Sequence, residues 1–195
     1  MYKKHTSIIA LQSQSWIAAS LIRLLETKSF SEITITQICQ EAQLVRKTFY
    51  RNFETKEDIL HYILDQLFES FRSTFQIESL VPSEIFTHYY EYWEKEKQLL
   101  TYLHRDDLFY LLTKKYIEYA DSIRMYLLFV KGDSTLQTGL EPYVIHFIAG
   151  GMVTILEHWL ENDFNEAILT LTQLTERLLL SANSYLNTPD LPDSK

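Results

Sequence analysis

Three cations and three aromatic rings share the ten-residue stretch LVRKTFYRNF, residues 44–53. Arg46, Lys47 and Arg51 interleave with Phe49, Tyr50 and Phe53 in a chain whose formal net charge is −8. Such cations bind anions, and an arginine can grip the two acceptors of a guanine at once. A phenol hydroxyl can donate to a phosphate oxygen. At about 100° per residue, a helix over 45–53 would place Val45, Phe49 and Phe53 on one apolar arc. Arg46, Lys47, Tyr50 and Arg51 would fall on the neighbouring arc. The spacing predicts a short helix that docks one side on other helices and offers the other to a polyanion, as the reading element of a helix-turn-helix does.

Such a helix needs neighbours to hold it, and the flanking sequence supplies them. Ile17, Leu21, Leu24 and Leu25 repeat at helical spacing over about 13–26. Thr34, followed three residues later by Gln37, reads as a capping box opening a second helix through Ile35, Ile38 and Ala42. A break at Gln43-Leu44 separates it from the cationic segment. Thr55, with Asp58 three residues on, opens a fourth helix expected to reach about Gln76, with Ile59, Ile63, Leu67 and Phe68 or Phe71 as its stripe. The start of that helix, with unpaired N–H groups, a positive dipole end and Lys56, is expected to form a phosphate site.

The whole composition fits an all-helical protein. Hydrophobic residues make up 46% of the 195 residues and charged residues 23%, as in globular rather than disordered chains. There are four Gly and four Pro to punctuate the chain, and little strand-like alternation. Residues 1–60 carry a net +2 and the remainder a net −10, so a mildly basic head sits on an acidic body. The single cysteine, Cys39, has no partner for an internal disulfide, which fits a reducing compartment. It is expected to be packed in helix 2. The opening MYKKHTSIIALQSQSW lacks the apolar core of a signal peptide. The most apolar run, 143–156, is 14 residues, short of the ~20 that span a bilayer. A soluble, cytoplasmic protein is expected.

The stretch FSEITITQICQEAQLVRKTFYRNFETKEDIL, residues 30–60, closely resembles the DNA-binding domain of TetR/AcrR-family transcriptional regulators. The resemblance rests on an aromatic, a Thr-capped helix, a tight turn, the T-F-Y-x-x-F block and the K-x-x-[LI] helix start, and it covers roughly residues 7–62. It implies an all-α fold, with an N-terminal helix-turn-helix domain over 1–53, a helical ligand-binding and dimerisation domain over 54–187, and a disordered tail over 188–195. It also implies a homodimer that binds a palindromic double-stranded DNA operator and answers to a small apolar or aromatic effector, with repression as the expected outcome and no catalysis. Carried onto this chain, Arg46 and Lys47 match base- or phosphate-contacting positions, Thr48 and Tyr50 backbone contacts, and Lys56 the phosphate contact at helix 4. Thr34 caps helix 2 and could touch phosphate.

Two positions depart from the family pattern. Gln43 stands where the turn usually carries Gly, so a left-handed backbone is expected there at some cost. Val45 stands where a Ser, Thr or Asn cap is usual. Some members have given up operator binding and act through protein contacts. A ligand-binding co-regulator of the same fold is therefore the alternative.

The C-terminal half is rich in tyrosine. Tyr89, Tyr90, Tyr92, Trp93, Tyr102, Phe109, Tyr110, Tyr116, Tyr119 and Tyr126 crowd two helices. Most belong to a core, but a surplus of polar-tipped rings also suits a cavity. Tyr89, Trp93, Tyr110 and Phe147 are the expected lining. The helix beginning at Pro142 is apolar on two sides, which predicts that one side meets a partner. The expected dimer contacts are Ile148, Gly151, Met152, Ile155 and Trp159, with Leu171, Leu174 and Leu178 from the last helix. His61 and Asp65 have metal-compatible spacing but no third ligand, and neither a metal nor a cofactor is expected.

Overall fold

The computed structural model describes residues 2–4, 7–74, 82–119 and 141–186, with side chains throughout except at Pro82, Glu141, Val144 and 180–186. Among the described residues there are nine α-helices, one 3-10 turn and no strand. They are α1 (Ile8–Leu25), the 3-10 turn (Phe30–Glu32), α2 (Ile35–Glu41), α3 (Arg46–Asn52) and α4 (Glu57–Ser73). Then come α5 (Pro82–Lys95), α6 (Lys97–Arg105), α7 (Tyr110–Glu118), α8 (Glu141–Glu161) and α9 (Ile168–Leu186). Tyr126 and the tail 188–195 lie outside the described residues.

Two compact units divide the chain: Met1–Phe75 with Gln98–Leu111, and Gln76–Lys97 with Leu112–Lys195. The first unit is thus larger than the expected 1–53 segment, because α4 and α6 pack within it. Its core is built from Ile17, Leu21 and Leu25 of α1, Ile33, Ile38 of α2, Phe49 and Phe53, and Ile59, Leu60 and Leu64 of α4, all essentially buried. α4 is rotated from the expected phase: Leu60, Tyr62, Leu64 and Phe68 are buried beside Ile59, while Ile63, Leu67 and Phe71 are half-buried.

α1 is the one described helix long and apolar enough to cross a bilayer. Ile17, Leu21 and Leu25 account for that composition as the inner face of a helix packed on α2, α3 and α4. Its C-terminal carbonyls are closed from within the same unit. Arg105 of α6 donates to Leu25 O at 3.0 Å and Lys28 O at 2.8 Å, with its guanidinium over the Tyr102 ring. A cation at a helix C-terminus also meets the negative end of the dipole.

In the second unit α9 runs along α5. Thr87 pairs with Thr172 at 3.2 Å and Tyr90 with Thr175 at 2.6 Å, so positions three apart on one helix meet positions three apart on the other. The turn between α8 and α9 holds Asp163 and Phe164 at φ 53° and 56°. Phe164 is held there by its ring against Trp159, centroids 4.6 Å apart, and by its N–H to Trp159 O at 2.9 Å.

Candidate nucleic-acid interface

The capping box opens α2 as expected: Gln37 N–H donates to Thr34 Oγ1 at 3.3 Å, and Thr34 N–H to Gln37 Oε1 at 2.9 Å. α2 closes through Leu44 N–H to Cys39 O at 2.9 Å, with Gln43 at φ 55°. The left-handed residue expected in the turn is therefore present, carried by a glutamine at a cost of roughly 1–2 kcal/mol. Cys39 is buried, and burial pushes its thiol above the usual value, so it stays protonated near neutral pH and is a poor nucleophile.

α3 is seven residues long, too short to persist alone. Phe49 and Phe53 anchor it, both fully buried and 5.9 Å apart between ring centroids. Val45 does not join them. It is the N-cap, in extended backbone at ψ 148°, so its side chain leaves the helical phase and is 69% exposed. No side chain caps α3 there. Arg46, Lys47, Tyr50 and Arg51 are exposed and Thr48 is half-buried. Arg46 Nη2 donates to the Tyr50 hydroxyl oxygen at 3.1 Å, with the guanidinium 5.8 Å from the ring centroid. Tyr50 in turn meets the edge of Phe49 at 5.4 Å. The pair lays Arg46 along one turn of α3 and leaves the phenol proton available to an acceptor. Part of the entropy cost of ordering Arg46 is met before any ligand arrives.

The start of α4 departs from the expected phosphate cradle. Glu54 and Thr55 N–H groups donate to Asp58 Oδ2 at 3.0 and 3.2 Å, and Asp58 N–H donates to Thr55 Oγ1 at 3.3 Å. Lys56 Nζ donates to Phe30 O at 2.5 Å, Ile33 O at 3.0 Å and Ser31 O at 3.2 Å, and lies 4.5 Å from the Phe30 ring centroid. An ammonium has three protons, and three carbonyls of the 3-10 segment meet them. Lys56 thereby ties the start of α4 to the approach to α2. Lys56→Ala is expected to lower the stability of this unit by about 1–3 kcal/mol, since it strands those carbonyls. DNA binding by that variant should keep its salt dependence. A slope reduced by about one with stability intact would instead mark Lys56 as a phosphate contact.

Residues 17–63 match the family model described as "Bacterial regulatory proteins, tetR family". Residues 81–181, more than half of the chain, match "Transcriptional regulator C-terminal region". The chain belongs to the TetR family of transcriptional regulators. The family is one of transcriptional regulators, and residues 17–63 match the model of its regulatory head. Over 66 residues it is 39% identical to the "HTH-type transcriptional regulator EthR" of Mycolicibacterium smegmatis, a match spanning 33% of this chain and 30% of that relative. Two solved structures share the fold at TM-score 0.60 and 15% identity. "Dihydroxyacetone kinase operon activator DhaS" aligns over 90% of this chain and 98% of its own. The "fatty acid degradation regulator FadR from Bacillus halodurans" aligns over 91% and 96%.

Within this TetR-family chain, the residues expected to line an effector cavity differ in burial. Tyr110 belongs to the first unit and is exposed, and Phe147 is exposed on α8. Tyr89 and Trp93 are buried in a hydrogen-bonded core: Trp93 Nε1 donates to Tyr116 Oη at 2.8 Å and Tyr89 Oη to Met152 O at 3.3 Å. Burial raises the Tyr89 and Tyr116 pKa values well above the ordinary phenol value, so both stay neutral. Cores require such partners for their phenols, and here protein groups meet that need.

The expected dimer contacts divide in the same way. Ile148, Met152, Trp159 and Leu171 are buried within their own unit. Gly151, Leu174 and Leu178 are exposed and Ile155 is half-buried. The open stripe on α8 is Tyr143, Phe147 and Gly151, at a spacing of four. An amphipathic pattern on two sides of a helix does not say which side turns inward. Sequence reading also missed the segment before α1. Its visible signal was the cationic pair Lys3-Lys4.

Proposed function

We propose that this TetR-family protein is a dimeric, ligand-responsive repressor that reads a palindromic operator through α3. The observation that carries the reading is the Arg46–Tyr50 pair, exposed and mutually braced on a helix whose opposite face is fully buried. Arg46 suits bidentate recognition of guanine, and Lys47, Thr48 and Tyr50 suit the adjacent phosphates. Thr34 caps α2 and stays exposed, so it can approach the backbone. Lys56 contributes by fixing the start of α4 rather than as a primary phosphate ligand. Tyr143, Phe147, Gly151, Leu174 and Leu178 supply an apolar face for a second copy. A Cβ built on Gly150 or Gly151 would meet nothing within 4 Å in the protomer. Mid-helix glycines cost roughly 0.5–1 kcal/mol each against alanine, and a close helix from a partner gives them a purpose.

Two α3 helices on one face of DNA must stand about 34–36 Å apart, so a ligand that favours another spacing releases the operator. The test is selection of bound fragments from random duplex DNA, followed by Arg46→Ala on the selected site. Affinity should fall by about 1–3 kcal/mol and preference should relax at one base position. A wild-type protein that enriches no sequence would overturn operator binding and leave the co-regulator role of the same fold.

A further inference from the structure

The C-terminal end of α3 is held by residues that precede α1. A helix leaves its last carbonyls without intrahelical partners. Here Lys3 meets two of them: its N–H donates to Asn52 O at 3.0 Å and its Nζ to Tyr50 O at 3.3 Å. Phe53 N–H closes Phe49 O at 2.8 Å, and Asn52 Nδ2 closes Thr48 O at 2.8 Å. The segment is itself fixed at both sides of Lys3. Tyr2 Oη donates to Asp65 Oδ2 at 2.7 Å, and its ring meets Tyr62 edge-on at 5.3 Å and Phe53 at 6.2 Å. Lys3 O accepts from Gln14 Nε2 at 2.7 Å, and Gln14 is itself buried.

We infer that Tyr2 and Lys3 are positioning residues for DNA reading, forming a clasp in which Tyr2 anchors on α4 and Lys3 caps α3. The inference rests on the operator-reading role proposed above. Its physical basis is that α3 lacks a side-chain N-cap and has seven residues, so a remote C-cap bears on its order directly. Without the clasp the last turn of α3 frays, and Tyr50, which braces Arg46, stands in that turn. Lys3 and Lys4 are exposed beside it and add positive charge to the same end of the unit.

The test uses Tyr2→Ala, which removes the anchor without changing charge, and Tyr2→Phe, which keeps the ring but removes the bond to Asp65. Amide hydrogen exchange is followed on the full chain without DNA. In Tyr2→Ala the amides of Arg51, Asn52 and Phe53 should exchange roughly tenfold faster, with those of α1 and α2 unchanged. Tyr2→Phe should lie between wild type and Tyr2→Ala. On the selected operator, Tyr2→Ala should lose affinity while the salt slope and nonspecific binding stay as in wild type, because no phosphate contact is removed. Unchanged exchange at α3 would overturn the clasp, whatever happened to DNA affinity. So would faster exchange spread evenly over the unit, which would reduce Tyr2 to a general packing residue. A wild-type protein that binds no operator overturns the proposed function by itself, and the exchange data still decide whether the clasp exists.

Discussion

The double variant Gly151→Glu, Leu178→Glu is expected to sediment as a 23.1 kDa monomer at micromolar concentration. It should also bind its operator about 10²–10⁴-fold more weakly, because two tethered reading heads bind far better than one. Both positions are exposed in the protomer, and a side chain at Gly151 meets open space, so the fold should survive the change. In the dimer four glutamates would face one another across apolar surface, where unpaired charges are costly. Far-ultraviolet dichroism checks that helix content is intact. A variant that remains dimeric, with wild-type operator affinity, would place the partner surface elsewhere. Changes at Ile148, Met152, Trp159 or Leu171 should behave differently, destabilising the unit in which they are buried.

Trp93→Ala should destabilise the C-terminal unit by about 3–5 kcal/mol, the range for deleting a buried large aromatic. The indole is 2% exposed, and its Nε1 proton satisfies Tyr116 Oη. Truncation therefore leaves a cavity and removes a hydrogen bond in a water-poor site. Tyr116→Phe isolates the polar part and should cost about 1–3 kcal/mol by leaving the indole donor without its acceptor. Denaturant titration with Trp16→Phe as background would follow this unit through its own tryptophans. A loss below 1 kcal/mol for Trp93→Ala would mean that this core is not tightly packed, and would revive a cavity among these aromatics.

What the sequence by itself determined lies within a turn or two of the residues concerned. The Thr34–Gln37 box, the Thr55–Asp58 pairing and the anchors Phe49 and Phe53 all follow from local hydrogen bonding or helical period, while the left-handed Gln43 and the uncapped Val45 followed from the family resemblance. The T-F-Y-x-x-F block carried the family and the fold with it. Tertiary structure decided whatever depended on partners far along the chain. Lys56 reads as a phosphate ligand until the carbonyls of Phe30, Ser31 and Ile33 are brought to it. Lys3 has no visible purpose until α1 folds back and sets it against α3. Tyr89 and Trp93 look like cavity lining until Met152 and Tyr116 arrive to satisfy them. α8 is apolar on two sides, and only packing against its own unit selected which side faces inward. A periodicity states that a face is apolar, and a residue type states what it can bond. Which group meets it is set by long-range packing, to which neither is sensitive.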